Sequence, residues 1–129
     1  MSEDGRPTIL IVDHDAQARK LMSTALAGAG FRLLEARSGL EAMATMLRDD
    51  REIVLAVVEI DMPCISGLDL VNQLKIERPT VQVLYISRLV ESIAVKSIAL
   101  REPGSVLLKP FTARQLLARV DDFISRRAA

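Results

Sequence analysis

A single cysteine, Cys64, stands among the 129 residues. One thiol makes neither an internal disulfide nor a zinc site, and it suits a reducing compartment. Charge of one sign is lacking too, since 17 Lys and Arg balance 17 Asp and Glu. A neutral chain has no field with which to gather a polyanion, which argues against nucleic acid as a partner. No apolar run reaches the length of about 18 residues that a membrane span needs, and the opening Met1–Pro7 has neither the basic start nor the apolar stretch of a signal peptide. A soluble cytoplasmic protein without membrane contact is therefore expected. What is present is an ordinary globular balance, half hydrophobic and 26% charged, which excludes a disordered chain, a collagen-like repeat and a coiled coil. The length suits one domain with a real core, expected over residues 6–127, with a flexible N-terminus at 1–5.

Five short runs rich in Val, Ile and Leu read as strands: Thr8–Asp13, Phe31–Glu35, Ile53–Ile60, Val81–Ser87 and Val106–Leu108. The first, third and fourth are apolar almost without interruption, as strands covered on both faces of a parallel sheet are. Between them lie helical segments with start and stop signals. Ala18, Leu21, Met22, Ala25 and Leu26 repeat at helical spacing behind a candidate N-cap, Asp15, with Gly28 and Gly30 at the exit. Ser38 and Glu41 form a capping box that opens a helix to about Asp49, Leu68–Arg78 is stopped by Pro79, and Ser92–Leu100 gives a weaker fourth helix. Thr112 and Gln115 cap a fifth, whose apolar face is Leu116, Leu117, Val120, Phe123 and Ile124. Five βα units in sequence predict a doubly wound α/β sheet with right-handed crossovers.

In such a sheet function sits outside the carboxyl ends of the strands. Those ends carry Asp13-His14-Asp15, Glu59 with Asp61 two residues on, Ser87, and Lys109-Pro110. Converging carboxylates repel unless a cation intervenes, which calls for Mg²⁺ or the ammonium of Lys109. A hydroxyl and a lysine opposite them suit the oxygens of a phosphoryl group. Any one of these residues could simply end a strand or cap a helix; four strand ends at once favour a site.

Ile9–Asp15, Val58–Gly67, Ser87 and Leu107-Leu-Lys-Pro-Phe111, taken together, resemble the receiver domains of bacterial response regulators, over nearly the whole chain. The resemblance implies a five-stranded parallel, flavodoxin-like (βα)5 fold with strand order 2-1-3-4-5. It also implies an aspartate at the end of the third strand that accepts phosphate from a histidine kinase, with Mg²⁺ held by acidic residues after the first strand. This chain departs there. Glu59 stands at the phosphoacceptor position, His14 replaces the second acidic residue, and only Asp13 of that pair remains. Ser87 and Lys109 match the family's hydroxyl and lysine, Val106 replaces its aromatic switch residue, and Arg88 stands where a small residue is usual.

The extra methylene of Glu59 moves its carboxylate by about one C–C bond, and in-line attack loses much of its rate from a displacement of about 1 Å. A neutral nitrogen at His14 disfavours Mg²⁺. The expectation is an atypical receiver, not an enzyme beyond self-phosphorylation at most, with no metal or only weak Mg²⁺. Its metal-side residues are Asp13, His14, Asp15, Glu59 and the backbone of Asp61, and Lys109 serves as counter-charge to Glu59. The mixed nitrogen and oxygen donors also suit Zn²⁺ or Mn²⁺, although one histidine is thin support. A phosphoryl-accepting, Mg²⁺-dependent receiver is the alternative.

Asp61 is expected to be an ordinary solvated carboxylate, Cys64 an inert loop thiol, and Met22, Met43 and Met46 core filler. A small nucleotide- or metal-binding enzyme ranks third, because the loop Asp13–Arg19 has no glycine to cradle phosphate and Ser87 lacks the flanking glycines of a nucleophile elbow. Partners implied are a histidine kinase or another signalling protein. A homodimer through the fourth helix, fifth strand and fifth helix is a further expectation, because Ile93, Val95, Ile98 and Leu100 give the fourth helix more apolar character than one buried stripe needs.

Overall fold

A computed structural model describes residues 5–62, 65–89 and 92–128. The expectations for residues 1–4 and for Cys64 lie outside the described residues. Five strands alternate with five helices: β1 (Thr8–Val12), α1 (Ala16–Gly28), β2 (Arg32–Ala36), α2 (Gly39–Arg48), β3 (Ile53–Glu59), α3 (Gly67–Glu77), β4 (Gln82–Ser87), α4 (Ile93–Arg101), β5 (Val106–Leu108) and α5 (Ala113–Ala128). The sheet is parallel throughout, in the order β2-β1-β3-β4-β5. The fold class is therefore as the βα pattern predicted, and the strand order as the resemblance implied.

The continuous apolar strands are buried on both faces, and their alternation divides the core. Ile9 and Ile11 of β1, Leu55 and Val57 of β3, and Leu84 and Ile86 of β4 face α1 and α5, where Met22, Leu26, Leu116, Val120 and Phe123 complete one layer. Leu10 and Val12, Ala56 and Val58, and Val83 and Tyr85 point the other way, onto Met46, Leu70, Leu74, Val95 and Ile98. Met22 and Met46 are buried filler, and Met43 packs against the second layer.

Side-chain caps fix the helix starts, and with them the loops that carry the site. Asp15 accepts from Gln17 N, Ser38 from Glu41 N, and Ser92 from Val95 N. At α5 the box is reciprocal: Gln115 N donates to Thr112 Oγ1 at 3.1 Å, and Thr112 N donates to Gln115 Oε1 at 2.8 Å. Several element bounds differ from the sequence reading by one residue, and two of these shifts have a local cause. Strand β2 begins at Arg32 because Phe31 N still bonds back to Leu26 O in closing α1, where Gly30 takes φ 94°. Helix α3 begins at Gly67, capped by Ser66, which accepts from Asp69 N. Gly67 sits there because a Cβ would meet Glu59 O at 2.2 Å and Ile60 Cα at 2.8 Å, so only glycine lets α3 start directly against the end of β3.

On α4, Val95 and Ile98 are buried against the sheet, whereas Ile93 is 85% and Leu100 82% exposed. The apolar surplus of this helix thus divides into two core residues and two surface ones. None of the described helices is long and apolar enough to cross a membrane.

Candidate functional site

The three central strands, β1, β3 and β4, end at one edge, and each delivers a polar residue there. Asp13 follows β1, Glu59 ends β3 and Ser87 ends β4; all three are buried. Lys109 follows β5, and its backbone N–H donates to Ser87 O at 2.8 Å, which aims the lysine inward. Its side chain, only 8% exposed, crosses the end of β4 and stops between the two acids: Nζ lies 2.8 Å from Asp13 Oδ2 and 2.9 Å from Glu59 Oε2.

Glu59 is held on its other oxygen as well. The backbone N–H of His14 donates to Glu59 Oε1 at 3.1 Å, and the ring Nδ1 of the same histidine makes a short hydrogen bond to that oxygen. Asp13 Oδ1 accepts from Asp15 N at 2.9 Å, and the Asp13 carbonyl accepts from Arg19 Nη1 at 2.8 Å. Asp13 Oδ2 is buried and ion-paired with Lys109 Nζ.

These contacts set the charges. Burial penalises the Glu59 carboxylate, but the hydrogen bonds from Lys109 and His14 together outweigh it and hold its pKa below the ordinary value. Burial also opposes the Lys109 ammonium, and its bonds to Asp13 and Glu59 overcome that, so its pKa lies above the ordinary value. For Asp13, burial dominates; with the Glu59 charge adding to it, the pKa is raised despite the lysine. Two carboxylates thus share one ammonium.

The remaining candidates are placed nearby but bonded otherwise. The side chain of Asp15 caps α1 and lies 3.7 Å from Arg88 Nη2, outside the cluster of Asp13, His14 and Glu59. Asp15 nevertheless lines the cleft beside His14, Glu59 and Asp61. Asp61 is not simply solvated either. Its Oδ2 accepts from Ser87 Oγ at 2.8 Å, and Ser87 Oγ in turn accepts from Leu89 N at 3.0 Å. Sequence reasoning missed the grip of His14 on Glu59 and the Arg19 bond to the Asp13 carbonyl. The one available signal was that Arg19 lies in the first turns of the helix leaving the site.

Asp13, His14 and Glu59 each offer one ligand atom, all within 4.8 Å of one another. A cleft of about 530 Å³, lined by His14, Asp15, Ala16, Glu59, Asp61, Arg88 and Leu89, opens onto them. Mg²⁺ requires a near-octahedral shell of oxygens. Here an imidazole occupies one flank, and an ammonium already neutralises one oxygen of each acid. The donor set fits Mg²⁺ poorly.

Comparison with known proteins places these features in a family. A family model described as a response regulator receiver domain matches residues 9–121. The phosphate regulon transcriptional regulatory protein PhoB of Pseudomonas aeruginosa is 33% identical over 121 residues, covering 92% of this chain and 52% of the relative. The chain therefore spans about half the length of that curated relative. Among solved structures, a CheY-like receiver domain from Methanospirillum hungatei has a TM-score of 0.83 at 21% identity, covering 96% of this chain and 98% of that one. A CheX–CheY–BeF3–Mg complex from Borrelia burgdorferi gives 0.80 at 23% identity, covering 92% of this chain and 89% of that one.

Proposed function

This chain belongs to the response regulator receiver family, a module of two-component signalling, and we propose that within it the chain acts without phosphate transfer to Glu59, through protein contact alone. Receiver domains are signalling modules rather than enzymes in the usual sense. The observation that carries the reading is the state of the Glu59 carboxylate, with Oε2 tied to Lys109 at 2.9 Å and Oε1 to the backbone and ring of His14. A nucleophile needs a free oxygen in line with the donor at about 3–3.5 Å. The one on Glu59 is displaced by a methylene and is engaged on both sides.

The unit is residues 6–127, working in the cytoplasm, with Mg²⁺ bound weakly or not at all. A histidine kinase or another signalling protein is its partner, and a second copy of the chain can meet it through α4, β5 and α5. The exposure of Ile93 and Leu100 on α4 and of Leu108 on β5 supports that face.

Incubation with Mg²⁺ and a small phosphodonor, followed by intact mass, tests the reading. No stable gain of one phosphoryl group is expected, and a gain mapped to Glu59 overturns it. A second reading, a receiver that still accepts phosphate, is favoured by one contact: the hydroxyl of Ser87 rests on Asp61 in the same cleft. On that reading the mass gain maps to Asp61.

A further inference from the structure

Helix α2 carries more apolar surface than the sheet takes up. Gly39, Ala42 and Met46 are buried and form the one stripe that packing on the sheet requires. Leu40 and Leu47 lie on another side of the helix, 65% and 88% exposed, with Ala44 between them at the i+4 position. A second apolar stripe thus runs along α2 outside the core. The helix contributes no residue to the cleft over Glu59, and it lies apart from α4, β5 and α5 in the fold.

The charged residues beside this stripe decide what fits it. Glu41 follows Leu40 and Arg48 follows Leu47, so two opposite charges share one flank of the stripe, seven residues apart. Glu41 is held in place by Arg37, whose backbone N–H donates to Oε1 at 3.2 Å and whose Nε lies 3.2 Å from Oε2. Arg48 is exposed and forms no ion pair among the described residues. A parallel pair of such helices puts the two charged flanks on opposite sides of the seam, where they do not meet. An antiparallel pair about a two-fold axis near Ala44 puts them on the same side. Glu41 of each copy then stands beside Arg48 of the other, Leu40 meets Leu47, and the small Ala44 lets the helices approach.

We propose that the face of α2 bearing Leu40, Ala44 and Leu47 pairs antiparallel with the same face of a second copy of this chain, with Glu41 and Arg48 closing both ends of the seam. The face is self-complementary, as a two-fold interface must be. Its extent sets its strength. Ten helical residues span about 15 Å, and two leucines with one alanine cover less than the ~800 Å² per partner of a standard interface, so a weak dimer with Kd on the order of 0.1 mM is expected. The pair therefore forms where the chain is locally concentrated.

The test is sedimentation equilibrium of the full chain up to about 1 mM, with Leu100→Glu present to disable association through α4. The apparent mass is expected to rise with concentration from that of one 14.2 kDa chain toward that of two. Adding Leu47→Glu, at an exposed position, is expected to weaken association by about ten-fold or more. Arg48→Glu and Glu41→Lys are each expected to weaken it by about three-fold. An equimolar mixture of those two variants is expected to associate more tightly than either alone, because every acid then meets a base of the other chain; damage to the fold of either variant cannot produce that gain. The proposal is overturned if the Leu100→Glu chain keeps the mass of one chain throughout, if Leu47→Glu associates as well as its parent, or if the mixture gains nothing. Comparison of the wild type with Leu100→Glu reports on the α4 surface, so failure of that reading is told apart from failure of this one.

Discussion

Replacing Lys109 by Met tests the centre of the site most directly. Methionine keeps the length and apolar stem of the lysine and removes only the ammonium, which lies 2.8 Å from Asp13 and 2.9 Å from Glu59. Two buried carboxylates then face each other with only N–H donors from His14 and Asp15 to stabilise them. Breaking a buried pair by removing one partner costs about 3–5 kcal/mol, and the open cleft beside Glu59 admits water, so the low end, about 3 kcal/mol, is expected. An unfolding entropy of about 2.1 cal/mol/K per residue gives about 270 cal/mol/K for this chain, so Tm falls by about 11 °C. The sign with pH follows from the shifts. Glu59, depressed in the fold, contributes stability that is present above its unfolded value and lost as pH falls through its folded one. The deficit of the mutant is therefore full at neutral pH and narrows below about pH 4. At the alkaline end, Lys109 is raised, so its contribution is present below about pH 10 and lost as pH climbs through its folded value. Urea unfolding of Lys109→Met and of Lys109→Met with Glu59→Gln measures the effect. The double mutant removes one stranded charge and is expected to recover about 1–2 kcal/mol relative to additivity. A single mutant within about 0.5 kcal/mol of the wild type at pH 7 refutes the reasoning, because effects that small are usual for exposed substitutions.

Other changes bear on the frame and the chemistry. Gly67→Ala puts a Cβ against the backbone of Glu59 and Ile60, so α3 must shift; a loss of about 2–3 kcal/mol in urea unfolding is expected. At the opposite end of the sheet, Asp49 accepts a 2.7 Å hydrogen bond from Arg32, which lowers its pKa. Asp49→Asn is expected to cost about 1–2 kcal/mol at pH 7; the difference fades only below about pH 4, as the wild-type carboxylate protonates. Mg²⁺ is expected to bind no tighter than about millimolar by calorimetry. His14→Asp with Glu59→Asp is expected to restore both Mg²⁺ binding and phosphodonor uptake, with neither single change sufficient, because metal and nucleophile act as one unit.

The parts of the fold legible in the sequence were those that one-dimensional patterns determine. Unbroken apolar runs such as Ile53–Val58 required covering on both faces, and the helices on either side of β3 supply it. Cap residues marked where α1, α2 and α5 begin, because the cap is a contact between near neighbours in sequence. Ser66 escaped notice because its helix opens with Gly67, a residue that reads as a turn. In the site, the meeting of Lys109 with Glu59 was foreseeable, since both are carried on strand ends whose direction the sheet imposes. The partners of Asp61 and Arg88 were not, because these residues stand on loops, where side-chain direction depends on turn conformation rather than periodicity.

A lysine that spans two acids also bears on how the site reaches the rest of the molecule. Lys109 leaves β5 and passes the end of β4 to reach β3 and β1, so its ion pairs tie together strands that are not sheet neighbours. Ser87 on the intervening strand donates a hydrogen bond to Asp61 and accepts one from Leu89 N, so its hydroxyl is engaged locally on both counts. On β5, Val106 pairs in register with Tyr85 and packs against the layer that includes Val95 and Ile98 of α4. A branched aliphatic chain held there has no large ring to swing between a buried and an exposed rotamer. The route from the site to the α4–β5–α5 surface therefore consists of fixed contacts: ion pairs to Lys109, a backbone bond from Lys109 to Ser87, and aliphatic packing at Val106. Such a path transmits a change only if the Lys109 pairs break. On the phosphate-independent reading, the surface offered by Ile93, Leu100 and Leu108 is accordingly present in the resting protein, and a partner that fits it binds without prior modification of the chain.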